Sequence, residues 1–213
     1  MGSDPARADA RGIVAAPFLP MHADQSIDFD ALAPYLAWIA KQRPTAIAMN
    51  MDASEGPSLD RDEQLAVLAA SKRAIDGACP LVSGLIAGST RDAVRWGREL
   101  AQAGAEALAI FPPFPAFLGK PVPGEMIERY HRAIADGVGL PMFAFQFPVA
   151  WGPDFPPDTL ARLAAIPGIV GLKEASFDTT KTIETIEAAR ALPRKLGILT
   201  GSDTFICEAM IMG

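Results

Sequence analysis

The sequence has few of the residues that mark secreted, disulfide-bonded or metal-binding proteins. Its 213 residues include only two cysteines and two histidines. Cys79 and Cys207 are interpreted as two buried thiols in a reducing cytoplasm. His22 and His131 show no metal-ligand spacing, and His131 is interpreted as a surface or capping residue. We therefore predict neither a metal site nor a cofactor.

Positive charge and long apolar runs are equally scarce. The net charge is −6 and no basic run is longer than a pair, so nucleic acid and anionic membrane surfaces are not expected partners. No apolar run approaches the length that spans a bilayer. The polar start "MGSDPARADARG" lacks an apolar signal segment, and residues 1–11 are interpreted as a disordered leader. We expect a cytoplasmic protein.

Apolar residues, by contrast, make up half of the chain, which is enough for a sizeable core. Short apolar runs alternate with longer amphipathic ones, beginning with a predicted strand at Gly12–Leu19 and a helix at Asp28–Gln42 that Asp28 caps. This alternation predicts an α/β protein with a parallel sheet covered by helices. Seven such units point to a (β/α)₈ TIM barrel. An eighth strand and its helix are missing, so residues 12–213 are predicted to form a barrel truncated after strand seven.

One lysine stands at the end of an apolar strand, in the segment "GIVGLKEAS". Active sites of such barrels lie at the C-terminal ends of the strands, which is where Lys173 falls. Most other strand ends are apolar or neutral, and a dry surrounding lowers an amine pKa and leaves some nucleophilic free amine. Because side chains alternate, Lys173 and Glu174 should point to opposite sides of the strand. The alternative is that Lys173 extends into solvent.

Two loops offer further candidate residues. In "MNMDASEGPSL", the small residues Ala53 and Ser54 would let backbone N–H groups approach a carboxylate; an ordinary strand-to-helix loop is equally compatible. In "TGSD", Gly201 and Ser202 could hold an anion, although Ser202 or Asp203 as a plain N-cap of helix seven is the favoured interpretation.

Aromatic residues at the ends of strands four and five could line a pocket. Core packing is the more usual role of aromatics at alternating strand positions. The residues concerned are Phe114, Phe117, Phe143, Phe145 and Phe147.

Several motifs in order resemble the dihydrodipicolinate synthase / N-acetylneuraminate lyase family of class I aldolases. They are "APF" at strand one, "SIDFDAL" opening helix one and "SEGPSLDRDEQ" after strand two. "AGAEALAIFPPF", "LPMFAFQFP", "GIVGLKEAS" and "LTGSD" follow at strands four to seven. The resemblance runs from about Gly12 to the last residue.

The resemblance implies that Lys173 is the Schiff-base lysine of a lyase or aldolase. In that family the lysine attacks the ketone of a 2-oxo acid, usually pyruvate or a pyruvate-derived sugar acid. The resulting imine then permits carbon–carbon cleavage, condensation or dehydration. The resemblance also implies that a C-terminal part is missing and that the protein is a homo-oligomer, a dimer or tetramer.

The sequence departs from the family pattern around this lysine. The strand-five tyrosine that relays protons aligns with Phe145, which cannot transfer one. The paired threonines that hold the substrate carboxylate align with Asp52 and Ala53. The tyrosine pair after strand four aligns with Phe114 and Pro115, and the arginine of the synthases aligns with Ala150. These differences argue against dihydrodipicolinate synthesis itself.

Asp52 is the candidate that could take over the acid/base work, because a dry barrel mouth would raise its pKa. Ala53, Ser54, Phe145, Gly201 and Ser202 are the predicted substrate-binding residues. Three functions are compatible with this pattern. The favoured one is a Schiff-base lyase on a 2-oxo acid, followed by a catalytically silent barrel that binds a small metabolite. A phosphate-dependent barrel enzyme that uses "TGSD" ranks last.

Overall fold

The sheet is built from seven parallel strands in chain order. The computed structural model describes residues 11–113, 122–148 and 155–212. The strands, numbered β1 to β7, are Val14–Ala15, Ala46–Met49, Leu81–Leu85, Ala107–Ile110, Met142–Gln146, Ile169–Glu174 and Gly197–Thr200. Each strand pairs in parallel with the next one. The outer strands β1 and β7 both line one cleft, so the sheet curls into an open barrel, as the sequence predicts.

A helix follows each strand and covers the outside of the sheet. The helices, numbered α1 to α7, are Phe29–Lys41, Arg61–Ile75, Thr90–Gln102, Gly124–Val138, Pro157–Ala164, Thr179–Arg190 and Ile206–Met212. Helices α1, α2, α3 and α6 begin at a side-chain cap. In α1 the Asp28 carboxylate accepts the Ala31 N–H at 2.8 Å, as expected from the sequence. None of the described helices has the length and apolar character that crossing a bilayer requires.

Two separate cores lie on the two faces of the sheet. The outer core, between sheet and helices, is large and rich in leucine and isoleucine. The inner core fills the barrel with alanines toward the bottom and with phenylalanines Phe111, Phe143, Phe145 and Phe147 toward the top. Because the phenylalanines lie near the C-terminal ends of the strands, aromatic side chains line the space at that end of the barrel.

Several local expectations are corrected by the structure. Strand one covers only Val14–Ala15, not Gly12–Leu19. His131 is fully buried on the inner side of α4 and not at the surface, where its Nδ1 lies 2.8 Å from the Ile127 carbonyl oxygen. Burial lowers its pKa to about 4. Cys79 is buried as predicted, but Cys207 is exposed, and both are free thiols.

Strand β6 contains a bulge that decides where its lysine points. Met142 pairs with Ile169, but the next residue, Phe143, pairs with Gly171, so Val170 has no partner on β5. Ile169 packs in the outer core, and strict alternation would turn Lys173, four residues later, outward as well. The extra residue reverses the phase, and Lys173 faces the barrel interior.

Candidate active site

The Lys173 amine lies over an aromatic ring at the top of the barrel. Its Nζ is 3.9 Å from the centre of the Phe145 ring. The side chain is half-buried, and it makes no ion pair or hydrogen bond with any described residue. Burial lowers its pKa to about 8, against a smaller opposing effect of Asp52. At pH 7 about a tenth of the amine is therefore uncharged, compared with about three in ten thousand for an ordinary lysine.

Three phenylalanines form the surface below this amine. Phe145 and Phe147 stack with their centres 4.3 Å apart, and Phe111 meets Phe145 edge-on at 4.9 Å. All three are buried. We call Phe111, Phe145 and Phe147 the aromatic floor. It excludes water from one side of the amine, which is the physical cause of the lowered pKa.

Asp52 follows β2 and opens a short 3₁₀ turn, Asp52–Ser54. Desolvation raises the pKa of its carboxyl group, and the charge of Lys173 partly opposes that rise. The residue as a whole is nonetheless exposed. Asp52 is thus near enough to sense Lys173 without forming an ion pair with it, and the amine stays accessible to a ligand.

Ala53 and Ser54, the other two residues of this turn, differ in the hydrogen-bonding groups that they leave available to a ligand. Ser54 is fully buried; its hydroxyl accepts the Met51 N–H at 2.9 Å and donates to the Met51 carbonyl at 3.3 Å. It therefore holds the turn together. Ala53 is half-buried, and its N–H donates to no described residue. Ala53 is the residue of this turn whose backbone could meet a carboxylate.

A buried polar network supports this turn from below. Asn50 has a left-handed φ of 55°, and its amide nitrogen donates to Ser83 Oγ at 3.1 Å and to the Gln64 carbonyl at 3.3 Å. A Cβ on Gly56 or Gly84 would overlap the Asn50 carbonyl oxygen, so both positions require glycine. The conformation of the turn that carries Asp52 therefore depends on backbone packing that no single sequence motif predicts.

The turn after β7 has fewer free donors than the sequence suggests. The Gly201 N–H donates to the Glu174 carbonyl at 2.6 Å, and the Ser202 N–H donates to Thr200 Oγ1 at 3.1 Å. A Cβ on Gly201 would lie 2.8 Å from that of Ala175, so glycine lets β7 approach β6. Ser202 precedes a 3₁₀ turn without capping it by its side chain.

Glu174 supports the candidate site from the outer face of the sheet, a role that sequence reasoning missed. It is fully buried on the outer face of β6, opposite to Lys173 as alternation predicts. Its carboxyl group accepts from Gln146 Nε2 at 3.1 Å, the Ser176 N–H at 2.9 Å and Thr182 Oγ1 at 2.5 Å. These bonds fix the strand end that carries Lys173. The signal in the sequence is an acidic residue at an outward position of an apolar strand.

Several residues that the sequence singles out lie elsewhere or outside the described ranges. Phe143 packs in the inner core. Phe114, Pro115, Phe117 and Ala150 are outside the described residues, as is the predicted leader apart from Arg11. Within the described ranges, no group of three or more histidine, cysteine or acidic side chains could hold a metal ion.

Comparison with known sequences gives consistent matches over almost the whole chain. The model of the dihydrodipicolinate synthetase family matches residues 9–213. A 4-hydroxy-tetrahydrodipicolinate synthase of Cellvibrio japonicus is 31% identical over 203 residues, which cover 95% of this chain and 68% of the relative. The synthase of Streptococcus uberis is 32% identical over 203 residues, with 94% and 63% covered. The chain thus spans about two thirds of the length of these relatives.

Solved structures give the same result for the fold. A chloride-inhibited dihydrodipicolinate synthase of Acinetobacter baumannii, crystallised with pyruvate, superimposes with a TM-score of 0.85 at 28% identity. The match covers 96% of this chain and 68% of that one. The similarity therefore extends over the whole open barrel, including the strand that carries the lysine.

Proposed function

Because the chain belongs to the dihydrodipicolinate synthetase family, whose members are aldolase-type lyases, we propose that its Lys173 amine condenses with the ketone of a pyruvate-type 2-oxo acid. The observation that carries this proposal is the unpaired, half-buried amine 3.9 Å above the Phe145 ring. A lysine in such a place is a nucleophile near neutral pH, because a usable fraction is uncharged.

The reaction can be written with the Lys173 amine, the substrate, a proton acceptor and water. Nζ attacks the ketone carbon, one water leaves, and an imine forms. The protonated imine accepts the electron pair of the adjacent carbon, either when a base removes its proton or when its carbon–carbon bond breaks, and an enamine forms. The enamine carbon can form a new bond, or the enamine can expel a leaving group from the next carbon. Hydrolysis by one water then frees the amine. The protonated imine is a cation, so the Phe145 ring stabilises it by about 0.5–2 kcal/mol.

Asp52 is the proposed acid/base group. Desolvation raises the pKa of its carboxyl group, and the carboxyl group lies near enough to the amine to act on its charge without being paired to it. The free N–H of Ala53 would receive the substrate carboxylate. Ser54, Gly201 and Ser202 contribute to the shape of the mouth, and Phe145 contacts the reacting nitrogen.

The particular reaction of the synthases is not the one we propose. Phe145 carries no hydroxyl and so cannot relay a proton. Asp52 would repel a second carboxylate unless its carboxyl group held a proton. We therefore propose a 2-oxo acid lyase or aldolase other than dihydrodipicolinate synthase. It would be a cytoplasmic homo-oligomer, a state that light scattering of the full protein would measure.

A catalytically silent barrel is the second candidate, and the missing phenolic hydroxyl at Phe145 favours it. Reductive trapping separates the two. Protein is incubated with pyruvate and with larger 2-oxo acids, borohydride is added, and peptide mass spectrometry locates the adduct. The matched control is Lys195→Met, which removes an exposed lysine. An adduct on Lys173 in the wild type and the control supports the enzyme; a folded protein without any adduct supports the silent barrel.

A further inference from the structure

The amine above its ring and the buried Glu174 network lie on opposite faces of the same two strands. In the ladder between β5 and β6, Phe145 pairs with Lys173 and Gln146 pairs with Glu174. Because side chains alternate along a strand, the first pair faces the barrel interior and the second pair faces the helices. A contact that fixes the outer pair therefore also fixes the height of the Lys173 amine relative to the Phe145 ring.

Gln146 connects the outer pair through both ends of its side chain. The residue is fully buried. Its Nε2 donates to the Glu174 carboxyl group at 3.1 Å, and its Oε1 accepts the Phe155 N–H at 3.0 Å. Its backbone carbonyl accepts the Ala175 N–H, also at 3.0 Å. Gln146 thus joins the ends of β5 and β6 to the segment that leads into α5.

This position requires a side chain with one donor end and one acceptor end. Each partner of the Glu174 carboxyl group among the described residues is a donor, so the contact from β5 must also be a donor. The Phe155 N–H, in contrast, requires an acceptor. An uncharged amide supplies both. An apolar side chain would leave the buried Phe155 N–H without a partner, which is costly.

From these contacts we propose that Gln146 is a positioning residue for Lys173, because its amide ties Glu174 to the strand that carries Phe145 and so holds the amine over the ring. Gln146 lies on the opposite face of the sheet from the reacting nitrogen, so its effect passes through the two strand ends. The consequence for catalysis rests on the proposed function, but the surroundings of the amine can be measured without a substrate.

The test compares two variants that each remove one donor from Glu174. Gln146→Met removes the bridge to β5, whereas Thr182→Val removes the bond to α6 and leaves the bridge intact. In Gln146→Met water should reach the amine, and the pKa of Lys173 should rise from about 8 to about 9. The free-amine fraction at pH 7, and with it the rate of pyruvate trapping, should then fall about tenfold. Thr182→Val should leave that pKa unchanged.

Gln146→Glu provides a second variant in case Gln146→Met does not fold. It keeps the size of the side chain and the acceptor for Phe155, but it replaces the donor to Glu174 by an oxygen, so two carboxyl groups would lie 3.1 Å apart. The pKa of Lys173 should rise in this variant as well. Heteronuclear NMR of lysine labelled at Cε measures that pKa without a substrate, and thermal melts report the folding of each variant.

The outcomes separate this inference from the proposed function. A raised Lys173 pKa in the Gln146 variants, with an unchanged value in Thr182→Val, supports the positioning role. If no 2-oxo acid is trapped by the wild type in that case, the proposed function alone is contradicted. An unchanged pKa in a folded Gln146 variant overturns the positioning role. An equal rise in Thr182→Val overturns it too, because the whole carboxyl network, and not the bridge to β5, would then hold the amine.

Discussion

Lys173 and Glu174 are neighbours on one strand, yet their surroundings are opposite. Glu174 is fully buried between the sheet and α6, and three donors saturate it. Lys173 is only half-buried, but it has no hydrogen-bond partner among the described residues and its pKa falls to about 8. Partners, more than depth, decide whether a buried ionisable group is structural or reactive. The outward residue stabilises the strand end, and the inward one is left free to react.

The largest effect is expected from removing the amine. Lys173→Met should lower imine formation with pyruvate by at least about a thousandfold, because methionine has no amine to form the covalent bond. It should also stabilise the fold by about 1–3 kcal/mol at pH 7, since the lowered pKa means that the charged amine is unfavourable there. Trapping and urea unfolding check the two effects. A Lys173→Met protein that still forms the pyruvate adduct at wild-type rate would refute the role of this residue.

Removing the charge of Glu174, on the outer face of the same strand, should lower the free energy of unfolding. Glu174→Gln replaces an acceptor oxygen by an NH₂ group that faces donors, which costs about 1–3 kcal/mol of unfolding free energy. The rate of pyruvate trapping should fall only as far as the strand end that carries Lys173 becomes less rigid. Glu184→Gln, at an exposed site on α6, is the control. If both variants lose equally little stability, the carboxyl network is not what holds this strand.

The pH dependence of trapping gives a smaller but more specific effect. The free-amine fraction rises about tenfold from pH 7 to pH 9 for a pKa of about 8. An unfolded lysine titrates near 10.5, so between about pH 8 and 10.5 the unfolded state binds more protons and stability rises with pH. Lys173→Met should lack that rise. A trapping rate that still rises tenfold per pH unit above pH 9 would mean that the amine has the pKa of an ordinary solvated lysine.

The smallest effect is expected from the carboxylate beside the amine. Asp52 raises the pKa of Lys173, so Asp52→Asn should shift the trapping profile to lower pH by about half a unit. The overall reaction should slow, because the acid/base group is lost. Asp178→Asn, at the start of α6, is the control for charge alone. Unchanged turnover in Asp52→Asn would remove Asp52 from the mechanism.

The strand and helix order of this chain can be predicted because it depends on local patterns. Apolar runs and caps such as Asp28 determine where each element lies, and parallel sheets follow from their alternation. The burial of His131 is within reach of sequence reasoning, because it lies four residues after Ile127 and three before Ile134, on the apolar face of α4. The exposure of Cys207 cannot be predicted from a local pattern, because burial of α7 depends on what packs beside it.

The candidate site can be predicted only in part. Lys173 stands out by its place at a strand end, but its inward direction depends on the unpaired Val170 in the bulge, which no local pattern reveals. Of the partners of Glu174, Gln146 on β5 is 28 residues away in sequence, so that contact depends on the pairing of the strands.

The most direct test of the central claim is a titration of the Lys173 side chain itself. Lysine labelled at Cε is followed by heteronuclear NMR from pH 6 to 11, and Lys173→Met identifies its signal. A pKa near 8 would support an amine kept partly dry above the aromatic floor. A pKa above 10 would mean that the amine is an ordinary solvated cation, and the account of its reactivity would be wrong.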